Sequence, residues 1–338
     1  MQVSLVDLTP VLPGESRHAA FQHSIEVAQH IERLGFHRVW VAEHHGAGSV
    51  AGRAPEVLIP VLAANTTRLR IGSGSVLLNH YSPYKVAEVF CTLHEIYPNR
   101  IDLGVGRATT GPYSDLALQQ DRSRHWRSDS DAQIVELLAW LEDGFPPEHP
   151  FATIPVRTLD TLPEVHLLGS SGWSAGAAAQ LGLRYVFAGF IAQETTPQAI
   201  RSYRENFKPG TGPTRSAEPE VRLAVKVVCA DTEEEARRQL APAHVMYRNL
   251  AQGNLTAPLL APDEAVDALG RLPDLQPYVS GTGVPPKFIG GTPTQVHATL
   301  ADLTRDLDVK ELFVQDLLTD HAARLRSYAL LAEVCATL

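Results

Sequence analysis

Three short stretches of this sequence hold residue types that do chemistry, and each directly follows an apolar run. Glu43-His44-His45 follows Arg38-Val39-Trp40-Val41-Ala42. A polar triplet in that place is poorly explained as core filling. An imidazole there can serve as acid, base or hydrogen-bond donor near neutral pH. The plainer reading is two surface histidines beside a structural carboxylate. The doublet is not HExxH and no second ligand cluster has metal spacing, so no metal is expected. Gly104-Val105-Gly106-Arg107 ends another run. Its glycines let a flat ligand approach the backbone, and the Arg107 guanidinium offers a planar fork for a phosphate. Most such tetrapeptides are simply strand ends. Gly169-Ser170-Ser171-Gly172-Trp173-Ser174 closes a third run and leads into a helix. Free N–H groups, hydroxyls and the positive dipole end suit an anion there, although serine is equally a preferred cap. Neither glycine segment is GxGxxG or a Walker loop, which argues against a dinucleotide-binding or nucleotide-hydrolysing protein.

Two further segments could meet a ligand. The small residues Gly72-Ser73-Gly74-Ser75 leave space for a flat ring, or they fill a barrel layer. His80 and Tyr81 follow closely and, with His45, are candidates for a substrate pocket; each could also belong to a turn.

The elements that must position these residues alternate in type. Apolar runs at 3–8, 38–42, 69–78, 100–106, 164–169, 184–190, 221–230 and 311–315 read as eight strands. Helical spacing, caps and first-turn prolines place helices at 16–34, 55–65, 84–96, 131–142, 173–181, 197–206, 232–250 and 321–336. Strands this apolar are buried on both faces, as in a parallel sheet. Eight such units at this length favour a closed (β/α)8 barrel, one domain over 1–338, with reactive groups at the strand C-termini. Segments 107–130 and 252–287 break the rhythm. Both are expected over the barrel mouth as lids, and the second reads equally as a surface insertion.

Composition narrows the function. The 338 residues are 44% hydrophobic, enough for a sizeable core, and carry a net charge of −9 with no basic stripe. Nucleic acid is therefore not an expected partner. No apolar stretch is long enough to span a membrane. The sequence shows no signal peptide, and its three distant cysteines fit a reducing, cytoplasmic setting.

Taken in order, WVAEHH (40–45), APE (54–56), TTRLRIGSGSVLL (66–78), SPYKVAE (82–88), PNRIDLGVGR (98–107), FIGGTP (288–293) and ELFV (311–314) resemble the bacterial-luciferase-like flavin monooxygenases. The likeness runs along the whole chain and is most specific in its first third; it is nearest to the actinobacterial natural-product tailoring subgroup. It implies a TIM barrel with insertions. It also implies FMN, arriving as FMNH2 from a separate flavin reductase, and O2 as co-substrate. A flavin C4a-(hydro)peroxide would then oxygenate a small organic molecule, such as an aromatic polyketide or other secondary metabolite, by epoxidation or hydroxylation. By the same likeness His44 is the acid/base group. Arg107, Ser171, Gly172 and Ser174 hold the flavin phosphate. Gly74-Ser75, often joined by a cis bond in relatives, lies against the ring, and homodimers form through the second and third helices. This chain departs from the pattern at Asn79, where many relatives have proline, and at Gly106, where a reactive cysteine stands in some; light emission is not implied. Trp173 is bulkier than usual in the phosphate loop. An F420-dependent dehydrogenase, a non-catalytic flavin-binding relative and a metal-dependent barrel hydrolase are the competing readings.

Overall fold

The computed structural model describes residues 1–108, 110–119, 130–156, 160–254 and 256–338. Its first half contains β1 Gln2–Asp7, α1 Arg17–Arg33, β2 Arg38–Val41, α2 Pro55–Ala64, β3 Arg70–Ser73 and β4 Val76–Leu77. The short 3-10 turn Leu78–His80 leads to α3 Pro83–Ile96, β5 Ile101–Gly106, α4 Pro112–Leu118 and α5 Ser130–Glu142. A second 3-10 turn, Pro150–Thr153, precedes β6 Glu164–Gly169, α6 Gly172–Gln180, β7 Arg184–Ala188, α7 Thr196–Glu205 and β8 Val221–Cys229. After it come α8 Glu233–Ala251, α9 Pro262–Leu269, β9 Ile289–Gly291, α10 Pro293–Leu307, β10 Glu311–Gln315 and α11 His321–Ala336.

Eight parallel strands pair in the ring β1-β2-β3-β5-β6-β7-β8-β10, and β10 closes it by pairing with β1. The expected barrel is therefore present. Side chains alternate along each strand. On β8, Leu223, Val225, Val227 and Cys229 face the helices, while Ala224 and Val228 join the interior cluster with Trp40, Val186 and Phe313.

Three sequence expectations change. The run 69–78 is two strands, β3 and β4, separated at Gly74 and Ser75, whose peptide bond is cis. The segment 293–307, given no element from sequence, forms α10; Thr292 caps it reciprocally with Gln295, and Val296, Leu300, Leu303 and Leu307 are its buried stripe. α10 packs on α11 and β8 and so fills the place of an outer barrel helix. α8 takes a different place from the outer-layer position expected of it. Its Leu240 and Ala243 join the barrel-interior cluster together with Val6, Leu8, Ala42 and Val50. The expected lid at 107–130 falls partly on residues 109 and 120–129, which lie outside the described residues; its described part carries α4. The segment 252–287 carries α9. Thr256 is so close to Gly48 that a β-carbon on the glycine would lie 2.7 Å from its carbonyl oxygen, and Thr319 Oγ1 donates to Leu260 O at 2.9 Å. This segment thus meets the loops after β2 and β10.

Charges close the opposite end of the barrel, where the strands begin. Arg38 donates to Asp102 and Glu164 at 2.9 Å from Nη1, and to Glu311 at 2.9 Å from Nε. Arg70 also bonds Asp102, and Arg222 bonds Glu311 at 2.6 Å. Trp40 Nε1 and Ser4 Oγ donate to Asp102 and Glu311. Burial alone would raise the Asp102 and Glu311 carboxyls, but the adjoining guanidinium groups outweigh it and hold both below the usual range. Glu164 is likewise held low against burial, by His166, Arg38 and Arg70.

Replacing Glu311 with Gln removes a charged acceptor of both Arg38 and Arg222. Denaturant titration should show a loss of about 3–5 kcal/mol, the usual result of breaking a buried pair. Because the folded-state carboxyl pKa values are depressed, this stabilisation is complete above the unfolded-state values near about 4. It should drain away as the pH falls from there, so unfolding profiles below that range should steepen in wild type and flatten in Glu311→Gln.

Candidate active site

β2, β3, β5 and β6 are consecutive in the ring and run the same way, so the residues that follow them share one mouth. Glu43, just past β2, is buried and is the anchor of that rim. Its Oε2 accepts the Leu77 N–H at 2.8 Å, and its Oε1 accepts the Tyr81 hydroxyl at 2.6 Å and meets His45 Nε2 at 2.6 Å. One carboxylate thereby joins β2 to the turn after β4. Burial, and then the bond to Glu43, raise the Tyr81 pKa, so Tyr81 stays a donor. His45 and Tyr81, expected in a substrate pocket, are thus held on Glu43.

His44, between these residues, has its backbone N–H fixed to Gly52 O at 3.0 Å and its side chain open to solvent. Although water reaches it, the surrounding protein desolvates the ring and lowers its pKa; Glu43 acts against that shift and His45 with it. Solvent on the open side limits the shift without reversing it. The resulting neutral imidazole can accept or deliver a proton. His80 is buried beside Asn79, its Nε2 3.0 Å from Asn79 Nδ2 and 3.5 Å from Asp115 of α4. Burial lowers its pKa despite Asp115. His80 therefore ties α4 to the rim.

Gly74 and Ser75 stand at the break between β3 and β4. A β-carbon on Gly74 would lie 3.0 Å from Trp40 Cβ, and one on Gly106 only 2.5 Å from Ser75 Oγ. Ser75 is consequently pressed against the end of β5. The next residue, Arg107, lays its guanidinium on the Trp173 ring, 3.9 Å from the centroid. Trp173 Nε1 donates to Asp131 at 3.0 Å. Leu78, Gly106, Arg107, Ser130 and Trp173 line one recess.

The serine turn before α6 is a reciprocal cap. Ser171 Oγ accepts from Ser174 N at 3.4 Å, and Ser174 Oγ meets Ser171 N at 3.3 Å. Ser174 is buried, and its hydroxyl also meets Tyr185 at 3.0 Å. Ser171 and Gly172 are exposed. The N–H groups of Gly172 and Trp173, first in the helix, have no intrahelical acceptor and remain for an anion. The arrangement fits a flavin phosphate: a guanidinium and a helix N-terminus side by side, joined by one indole.

A profile of luciferase-like monooxygenases matches residues 1–309. The chain belongs to the luciferase-like monooxygenase family. It is 35% identical to the N-acetyl-S-alkylcysteine monooxygenase of Bacillus subtilis, covering 98% of each chain. The crystal structure of apo-MsnO8 superposes with a TM-score of 0.86 at 39% identity, covering 98% of both chains. The FMN-bound oxygenating constituent of 3,6-diketocamphane monooxygenase from Pseudomonas putida shares the fold, with a TM-score of 0.71 at 19% identity. That match covers 100% of this chain and 98% of the other. A β-carbon at the Gly106 position would press on the Ser75 hydroxyl, so a larger residue there requires the Ser75 side chain to move.

Sequence reasoning read Glu43 only as a structural carboxylate, without its partners Leu77, Tyr81 and His45, and it did not see Trp173 as the support for Arg107. The signal for Glu43 was a carboxylate flush against an apolar strand. Nothing local signalled the stacking. Histidine-resolved NMR should find the His44 ring neutral at pH 7 and titrating below the ordinary histidine range. A ring still cationic at pH 7 would contradict the desolvated environment described.

Proposed function

We propose that this monooxygenase takes reduced FMN and O2 and transfers one oxygen atom to a small organic substrate admitted at the barrel mouth. The observation that carries this reading is Arg107 stacked 3.9 Å over Trp173 beside the exposed cap of α6, on the rim that also bears His44. When bound, reduced FMN supplies the electrons that activate O2. Arg107 and the N–H groups of Gly172 and Trp173 bind the phosphate, with Ser171 and Ser174 shaping their turn. Gly74 and Ser75 offer a flat wall for the ring. His44 holds or moves the proton that oxygen transfer requires. α8 and the segment after it shield the mouth from water, which strengthens each electrostatic contact there. Arg107, Ser171 and Gly172 are open to solvent, which suits a flavin that is exchanged with a separate reductase.

Anaerobic titration with FMNH2, riboflavin and F420 tests this assignment. FMN should bind more tightly than riboflavin, and Arg107→Ala should erase about a tenfold preference, the value of one charge-assisted contact. Equal FMN affinity in Arg107→Ala would remove Arg107 from the site, and preference for F420 would redirect the function to hydride transfer. His44→Ala should keep FMN affinity and lower single-turnover product yield by about tenfold or more.

We further propose a homodimer through α2 and α3, supported by Val57, Val61 and Ile96, which leave apolar surface exposed on these two helices. Sedimentation should give a dimer for wild type and a monomer for Val61→Glu; a wild-type monomer would refute the pairing.

A further inference from the structure

Across the mouth from the flavin wall lies a group that the reading above leaves unused. β3 and β8 stand diametrically opposite in the ring of eight. Of the chain's five lysines, Lys226 of β8 alone is buried. Buried lysines ordinarily pair with carboxylates. Among the described residues no carboxylate pairs with Lys226. Its ammonium instead lies 4.5 Å from the Phe190 centroid, 4.0 Å from that of Tyr247 and 5.6 Å from that of Phe288, and it donates to the Tyr247 hydroxyl. These rings come from the loop after β7, from α8 and from the segment before β9, so they converge only at the mouth. Lys226 also lines a small cavity with Gln239, Gln315 and Asp316. Gln239 Oε1 is buried there without a partner.

A second lysine stands at the same ring. Lys287 Nζ is 4.3 Å from the Tyr247 centroid, and its side chain is half-buried. Aromatic faces attract one cation readily. Two ammonium groups at one ring repel each other, and packing alone gives no reason to bring them together. Nor does the surrounding charge offset them. Asp316 is occupied by Arg324 and Tyr328, His244 packs on Phe288, and the nearby Arg271 is paired with Asp274. This positive spot sits in a chain of net charge −9.

We propose that Lys226 and Lys287, backed by Tyr247 and Phe288 beneath α8, form a subsite for a carboxylate on the substrate. The proposal deepens the monooxygenase reading and rests on it. An arriving carboxylate relieves the repulsion between the two ammonium groups, while the aromatic rings receive the apolar body attached to it. Burial, with the Lys287 charge adding to it, pulls the Lys226 pKa down to about 7. An anion beside it raises that value again, so binding above neutrality takes up a proton. The groups facing Lys226 in that titration are Lys287, His244, Tyr247 and Asp316.

The probes are 1-naphthoate and its uncharged analogue 1-naphthamide, added to the full chain loaded with oxidised FMN and followed by calorimetry. Naphthoate should bind at least about tenfold more tightly than naphthamide, as one charge-assisted contact warrants. Lys226→Met should abolish that preference and leave naphthamide affinity unchanged. Lys287→Met, at a half-exposed position that does not threaten folding, should reduce it. At pH 8, heats measured in two buffers of different ionisation enthalpy should report proton uptake in wild type and none in Lys226→Met. Equal affinity for acid and amide, or an unaltered preference in both variants, overturns the subsite. A loss of FMN affinity without loss of riboflavin affinity in Lys226→Met also overturns it, since the lysines would then hold the flavin phosphate. Failure of FMN to bind wild type at all would count against the monooxygenase reading instead, and is recognised before either probe is added.

Discussion

Arg38 at the start of β2 is the contact on which the rest of the structure depends. It reaches Asp102 on β5, Glu164 on β6 and Glu311 on β10, while Arg70 and Arg222 complete the set. A parallel strand pair has evenly spaced bonds that do little to choose between registers. Buried ions choose strongly, because a slip of one residue leaves a charge unpaired in the interior. Fixing the strands at their beginnings fixes the level at which each one ends. The positions of His44, Gly106, Arg107 and Ser171 follow from that.

The two ends of the barrel therefore handle charge differently. At the floor every described carboxylate of the girdle meets a guanidinium, so the charges are neutralised and held rigid. At the mouth the balance is deliberately incomplete. Arg107 rests on an indole and Lys226 on three rings. A cation on an aromatic face stays placed but keeps much of its capacity for an anion. Glu43 and the buried Arg324, which pairs with Asp7 and Asp316, are the exceptions at the mouth. Glu43 spends both oxygens on Leu77, Tyr81 and His45, and so holds the strand ends on either side of His44 in one geometry.

The barrel was legible in the sequence because its strands are local apolar runs. The capping sequence before α6 was legible for the same reason: serine spacing is read over three residues. What escaped was long-range. Nothing around 293–307 lacked helical signals, since Thr292, Gln295 and the leucine stripe are present, yet the eight-strand rhythm was satisfied without them. α8 has the spacing of an outer helix, and only its contacts with the interior cluster reveal that it crosses the mouth. Lys226 interrupts the apolar run that follows Arg222 on β8, which was a usable signal, but its partners lie on three separate segments.

The sequence alone determined the order of strands and helices and which polar residues follow each strand, because side-chain periodicity and capping are local properties of the chain. It also determined that His44, Arg107 and the serine turn would lie at strand ends. Tertiary structure decided which of these residues touch. Arg107 meets Trp173, and Phe190, Lys226, Tyr247 and Phe288 meet one another, only because closure of the sheet brings distant strand ends within a few ångströms. Contacts of that kind depend on the shape of the whole barrel, and no window of neighbouring residues contains them.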